Sequence, residues 1–251
     1  MSGTVLVNNI NGISEIVFFH PQSNSLPGDL LRKLAGEIEK AGKDSEIKVI
    51  VLSSEGEKAF CAGASFDELI SIKTFEEGKI FFSGFASVIN AMRKSPKFII
   101  ARIHGKAVGG GVGLASAADL ALAHETASIK LSELAVGIGP FVVGPAVERK
   151  IGKAAFSELT INATEWKPSS WAKEKGMFAE IFSTVDEMDK AIEELTGKLI
   201  LSNPEAMSML KKIFWEGTEH WDTLLDERAA MSGKLVLSEF TKKAIEKFKS
   251  K

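Results

Sequence analysis

Four glycines, Gly109, Gly110, Gly111 and Gly113, interrupt an otherwise apolar run over residues 104–123, HGKAVGGGVGLASAADLALA. Each costs a regular element ~0.5–1 kcal/mol relative to alanine, so the backbone itself must be needed there, for a tight bend or for an amide offered to a ligand. Three readings stand side by side. The plainest is a turn leading into a small-residue helix packed tightly in the core. A dinucleotide fingerprint would place a third glycine where Ser116 stands, and would follow a first strand rather than sit in mid-chain. The third is a strand-to-helix turn whose amides, near the positive end of a helix dipole, hold an oxyanion. A second turn of this kind is KAFCAGASFDEL, residues 58–69, also a strand exit with small residues ahead of a helix. Two such turns can each give one N–H to the same carbonyl oxygen. No GxxxxGK followed by Ser or Thr occurs, which excludes a P-loop.

Other reactive side chains are sparse. His104, His124 and His220 have no spacing suited to metal or triad work, His20 sits at a strand end, and there is no tyrosine to act as a phenolic acid. Cys61 is the single cysteine, which excludes an internal disulfide framework and any multi-cysteine metal site. It reads as a small buried filler. Asp119 is expected to anchor a helix end. Asp67, Glu68, Glu76 and Glu77 are expected on the solvated side of a helix, with one of them able to reach a pocket as a substitute acid. Phe75, Phe81, Phe82 and Phe85 form a stripe suited to a core or to the wall of an apolar pocket.

The elements that must position these groups alternate over the first half of the chain. TVLVNNI and SEIVFFH read as strands joined at Asn11-Gly12, a hairpin signal. A helical pattern, SLPGDLLRKLAGEIEKAGK, precedes the strand IKVIVLSS. Residues 66–94 read as one long helical region bent at Gly78 or Gly84 and ended before Pro96. FIIARIHG, DLALAH and ASIKL supply further strands. After about Pro140 the chain turns mainly helical, with FAEIFS as its one strand. This order predicts an α/β core, residues 1–190, with a C-terminal helical part, residues 191–251.

With 251 residues, 45% of them hydrophobic and 25% charged, the chain can bury a sizeable core. Its net charge of −2 and scattered lysines argue against a nucleic-acid partner, which demands a basic face. Arg102, His104 and Lys106 break the best candidate for a membrane span of ~18 apolar residues, and no secretion signal opens the sequence. The expectation is a soluble, cytoplasmic protein with no membrane or nucleic-acid partner.

Taken together, HPQSNSL, KAFCAGASFDEL, HGKAVGGGVGLASAADLALA, ASIKLSELAVGIGP and LSNPEAMSMLKKIF resemble the crotonase, or enoyl-CoA hydratase/isomerase, superfamily over nearly the whole chain. The resemblance implies a crotonase-like spiral of ββα turns with a C-terminal helical trimerisation region, assembled as a homotrimer or hexamer. It implies an acyl-CoA thioester substrate, coenzyme A being part of that substrate and no separate cofactor being needed. The thioester oxygen would be held by the amides of Ala64 and Gly110, with Glu133 as acid/base. Ala62, Ser65, Phe66, Gly109, Gly113 and Phe141 are the further positions expected to meet substrate, and residues 66–94 to line the acyl pocket.

Two departures from the family pattern bear on the reaction. Family hydratases carry a glutamate where this sequence has Gly113, and a glycine where it has Phe141. Hydration commonly shares its proton transfers between two carboxylates, whereas one base can move a proton from C2 to C4 across a stabilised dienolate. Phe141 resembles the apolar loop of Δ3,Δ2-enoyl-CoA isomerases, which also lack the first glutamate. The expected activity is therefore conversion of a 3-enoyl-CoA to a 2-enoyl-CoA. Hydration of a 2-enoyl-CoA comes next, followed by dehalogenation or acyl-CoA hydrolysis. A non-catalytic acyl-CoA-binding or assembly subunit is the alternative from a different class. A glutamate introduced at 113 is expected to face the reacting carbons.

Overall fold

The computed structural model describes residues 3–249. Strands β1 (Thr4–Ile10) and β2 (Ile13–Phe19) form an antiparallel hairpin about Asn11 and Gly12, whose φ values of 50° and 83° are those of a type I′ turn. The short β3 (Ser25–Leu26) leads into α1 (Gly28–Lys43), which buries Leu30, Leu31, Leu34, Ile38 and Ala41 along one face. β4 (Val49–Ser54), β5 (Ala59–Cys61) and β6 (Gly63–Ala64) follow, then α2 (Phe66–Ser71) and α3 (Phe75–Lys94). Next come β7 (Phe98–Ile103), β8 (Lys106–Val108), α4 (Gly110–Ala117), β9 (Leu120–His124) and β10 (Ser128–Lys130), and a 3₁₀ helix over Glu133–Val136. The remainder is α5 (Gly144–Ile161, kinked at Gly152), β11 (Lys167–Pro168), α6 (Ser169–Glu174), β12 (Glu180–Phe182), α7 (Val185–Leu199), α8 (Pro204–Phe214), α9 (Trp221–Leu235) and α10 (Glu239–Lys249). The expected division between residues 190 and 191 falls inside α7.

The strands form a six-stranded sheet, β1-β2-β4-β7-β9-β12, and a four-stranded sheet, β11-β10-β8-β5, with β3 and β6 paired between them in sequence. The pairs β4/β5, β7/β8 and β9/β10 each place one strand in the first sheet and the next in the second; β7/β8 runs into α4, β9/β10 into the 3₁₀ helix, and β4/β5 into α2 by way of the short β6. The chain thus winds as repeated ββα turns. Each passage from the second sheet into a helix delivers a strand exit to the same side, and the site is built from those exits.

Residues 66–94 are not one bent helix. The break falls at residues 72–74, where Thr74 accepts the Glu77 N–H and Glu77 reaches back to the Thr74 N–H, a capping box that starts α3 afresh. The glycines expected to bend it are packing points instead. A Cβ on Gly78 would lie 2.9 Å from the Cα of Gly233, and one on Gly84 would lie 2.7 Å from Leu31 Cδ1. Two facing glycines let α9 lie directly on α3. A local pattern does not distinguish a glycine that bends a helix from one that admits a neighbour.

Asp119, just beyond α4, accepts the Ile99 N–H at 2.7 Å, the Lys211 ammonium at 2.5 Å and the Trp215 indole N–H at 3.3 Å. Lys211 is 1% exposed, and burial pushes its pKa down against the pull of Asp119. This buried pair ties α8 to the six-stranded sheet, the anchoring role expected of Asp119. Among the described residues, no helix is long and apolar enough to cross a membrane.

Candidate active site

A cavity of about 320 Å³ opens where the two glycine-containing turns meet. Gly63 (φ 93°) presses the first turn onto the second: a Cβ there would lie 3.1 Å from the Val108 carbonyl and 3.6 Å from the Gly110 nitrogen. Ala64 and Gly110 consequently line the same space. Gly110 is the first residue of α4, and the first amides of a helix have no partner within it. An oxygen placed at this end would meet backbone N–H and the positive pole of the helix.

The glycine run is explained by what each residue touches. Gly109 has φ 52° and ψ −111°, and a Cβ on it would come within 2.9 Å of Glu133 Oε1. A Cβ on Gly110 would collide with the Phe85 ring, one on Gly111 with the Cys61 carbonyl, and one on Gly113 with Val143 Cγ1 at 2.6 Å. Four glycines admit a carboxylate, an aromatic face, a neighbouring strand and a loop side chain to one short helix.

Glu133 opens the 3₁₀ helix. The residue as a whole is only half-buried, but its carboxylate end is enclosed, and Oε2 is buried without a hydrogen-bond partner. Burial raises its pKa to about 7, opposed only by a hydrogen bond to its own backbone. The surrounding wall is mainly apolar, with Phe66, Phe81, Phe82, Phe85, Ile138 and Phe141 prominent and Lys130, Ser132 and Ser232 polar, and among the described residues Glu133 is its only carboxylic acid. Among the described residues no cluster of three or more His, Cys, Asp or Glu could hold a metal.

The cavity brings together Ala62, Ala64, Phe66, Gly109, Gly110, Glu133 and Phe141 of the expected site. Two expected contacts fall outside it. Ser65 is 3% exposed and caps α2, its hydroxyl accepting the Glu68 N–H at 3.3 Å while its own N–H donates to the Leu26 carbonyl. Gly113 lies behind the wall, with Val143 between it and the space. A glutamate side chain at 113 would therefore start into Val143 rather than face the cavity.

The acids after the first turn do not line the cavity. Asp67 accepts from Gln22, Glu68 caps Gly28 at 2.9 Å, Glu77 belongs to the Thr74 capping box, and Glu76 is exposed. Phe81, Phe82 and Phe85 line the wall, while Phe75 is 43% exposed. Cys61 is fully buried, and burial raises its thiol pKa to about 12, leaving it an inert filler. His104 is buried too, its pKa driven down to about 4 by burial and by Arg102. Sequence reasoning missed Ser232, which α9 contributes to the wall. Its only signal is Gly233 beside it, and that is intelligible only with Gly78 opposite.

Paired β-strands lead into helices around one enclosed acid in this α/β fold, and comparison with known proteins says to which family that arrangement belongs. The family model for enoyl-CoA hydratase/isomerase matches residues 8–251, and the chain belongs to that family. The Bacillus subtilis protein YngF, described as an enoyl-CoA hydratase/isomerase, is 33% identical over 208 residues, 81% of this chain and 78% of its own. The mitochondrial methylglutaconyl-CoA hydratase of Rattus norvegicus is 32% identical over 200 residues, 78% of this chain and 63% of its own. An enoyl-CoA hydratase crystal structure from Bacillus halodurans superposes with a TM-score of 0.89 at 22% identity, over 97% of this chain and 99% of that one. The fold is the crotonase-like spiral that the motifs implied.

Proposed function

We propose that this enzyme shifts the double bond of a 3-enoyl-CoA to give the 2-enoyl-CoA, with Glu133 as its single acid/base. The observation that carries the reading is one enclosed carboxylate, and no second, in an apolar cavity shared with the Ala64 and Gly110 turns. In this reading the thioester oxygen accepts the Ala64 and Gly110 N–H groups. Glu133 removes a C2 proton, the negative charge spreads through the dienolate onto that oxygen, and the same carboxyl returns the proton at C4. A pKa of about 7 suits both halves, since the group must be a competent base and then a competent acid. The Phe141 wall keeps water from the dienolate and keeps the carboxylate poorly solvated.

Hydration of a 2-enoyl-CoA is the second reading, favoured by the name of the Rattus norvegicus relative. It requires Glu133 alone both to activate water and to deliver the proton. Rates of the purified protein on matched 3-enoyl-CoA and 2-enoyl-CoA thioesters separate the two. Isomerisation faster than hydration, abolished by Glu133→Gln, is the expected result. Hydration much faster than isomerisation overturns the proposal.

A further inference from the structure

We propose that Thr241 is a positioning residue: together with Phe240 it latches α10 onto Gly137 and so holds the 3₁₀ helix that carries Glu133. The inference rests on the reading of Glu133 as the base. Because Oε2 is buried without a hydrogen-bond partner, no neighbouring side chain fixes that oxygen in place. Its position depends on the backbone beneath it. That backbone is a single 3₁₀ turn, Glu133–Val136, closed by Gly137 at φ 81°. The Gly137 N–H returns to the Leu134 carbonyl at 3.1 Å, and the Ile138 N–H to the Glu133 carbonyl at 3.0 Å.

So short a helix has little stability of its own. What clamps it comes from over a hundred residues later. Thr241 is 0% exposed, and its hydroxyl donates to the Gly137 carbonyl at 3.1 Å. The same hydroxyl accepts from Ser238 Oγ at 3.0 Å, and Ser238 Oγ accepts the Thr241 N–H at 3.2 Å, so the threonine is itself held. The Phe240 ring packs on the other component of the latch, with Cδ1 2.5 Å from where a Cβ on Gly137 would stand. A residue larger than glycine would push the ring away. The rest of the Phe240 side chain is exposed, so its contact with Gly137 is the part that the fold covers.

The test compares Thr241→Val, Thr241→Ser and Phe240→Ala in the full-length protein. Hydrogen exchange is read at Gly137 and Ile138, together with kcat and KM on a 3-enoyl-CoA. Valine keeps the volume and removes the donor, and serine restores it. The valine and Phe240→Ala variants are expected to exchange at these amides about tenfold faster. Their kcat should fall about tenfold or more, as for a displaced catalytic group, with KM within about twofold. Thr241→Ser should recover both. Unchanged exchange overturns the latch, and faster exchange with unchanged kcat overturns its role in turnover. Should the valine variant not fold, Phe240→Ala carries the same test, since most of that side chain faces solvent. Glu133→Gln is assayed alongside: if it keeps full activity, the base assignment fails, whereas the exchange result still decides the latch.

Discussion

Glu133→Gln is expected to make the protein more stable while making it inactive, and the gain should depend on pH in a fixed direction. The carboxyl titrates from the ordinary 4.5 in the unfolded chain to about 7 in the folded one, because burial disfavours its charged form. Its folded pKa is therefore raised, and the stability it permits is fully present below pH 4.5 and lost as pH rises through about 7. At 1.36 kcal/mol per pKa unit, a difference of about 2.5 units amounts to ~3 kcal/mol at pH 8. The glutamine carries no titrating charge and escapes this loss, while still burying a polar amide at a cost of ~1 kcal/mol. The net gain at pH 8 is thus ~2 kcal/mol. Urea unfolding of both proteins at pH 5, 6, 7 and 8 measures it. The stability of glutamine variant minus parent should rise through this range and level off above pH 7. Parallel curves at all four pH values would refute the reasoning, because an exposed or well-bonded carboxylate would give no such divergence. The same titration predicts an acid limb near pH 7 in the kcat profile of the parent.

Ala64→Pro, which removes one proposed oxyanion donor, should raise the barrier by ~3–4 kcal/mol, while Ala64→Ser should be mild. Near-normal turnover by a folded Ala64→Pro variant would place the donor elsewhere. Gly113→Glu alone should lose ~1–3 kcal/mol of stability by overpacking Val143 and gain no hydratase activity. Only together with Val143→Ala should hydration of a 2-enoyl-CoA emerge, as following both thioesters would reveal. Lys211→Ala removes the buried cation paired with Asp119, leaving the carboxylate only its bonds from the Ile99 and Trp215 N–H groups and the more distant charges of Arg149 and Lys150, and should cost up to ~3–5 kcal/mol in chemical denaturation. Light scattering at micromolar concentration should give a trimer or hexamer, since Leu201, Met209, Leu210 and Ile213 on and beside α8 are 44–87% exposed and need a neighbour; a monomer would contradict this.

Much of the scaffold was legible because its signals are local. Asn11-Gly12 meets the backbone requirement of a type I′ turn by itself, and the 3–4 spacing of leucines in α1 specifies which face is buried. Two-residue strands such as β3 and β11 gave no such signal, since their pairing partners lie far along the chain. The break before α3 was in principle readable from Thr74 and Glu77, but the glycines drew attention to the wrong place.

For the site, residue types alone limited the chemistry: four glycines at the start of and within one short helix required close approach, whereas the reading of Gly113 as the place of a missing second carboxylate came from the family resemblance. Tertiary structure decided what approached. It set the Glu133 carboxylate against Gly109 and Phe85 against Gly110, put Val143 between Gly113 and the cavity, and spent the Ser65 hydroxyl on capping α2. It also brought Ser232 to the cavity wall and Thr241 to Gly137, at the end of the 3₁₀ helix that carries Glu133, from helices over a hundred residues beyond α4. Backbone conformation and helical periodicity are properties of neighbours in sequence and can be read there. The pKa of a carboxylate depends instead on which atoms exclude water from it, and those atoms are assembled only when the chain has folded.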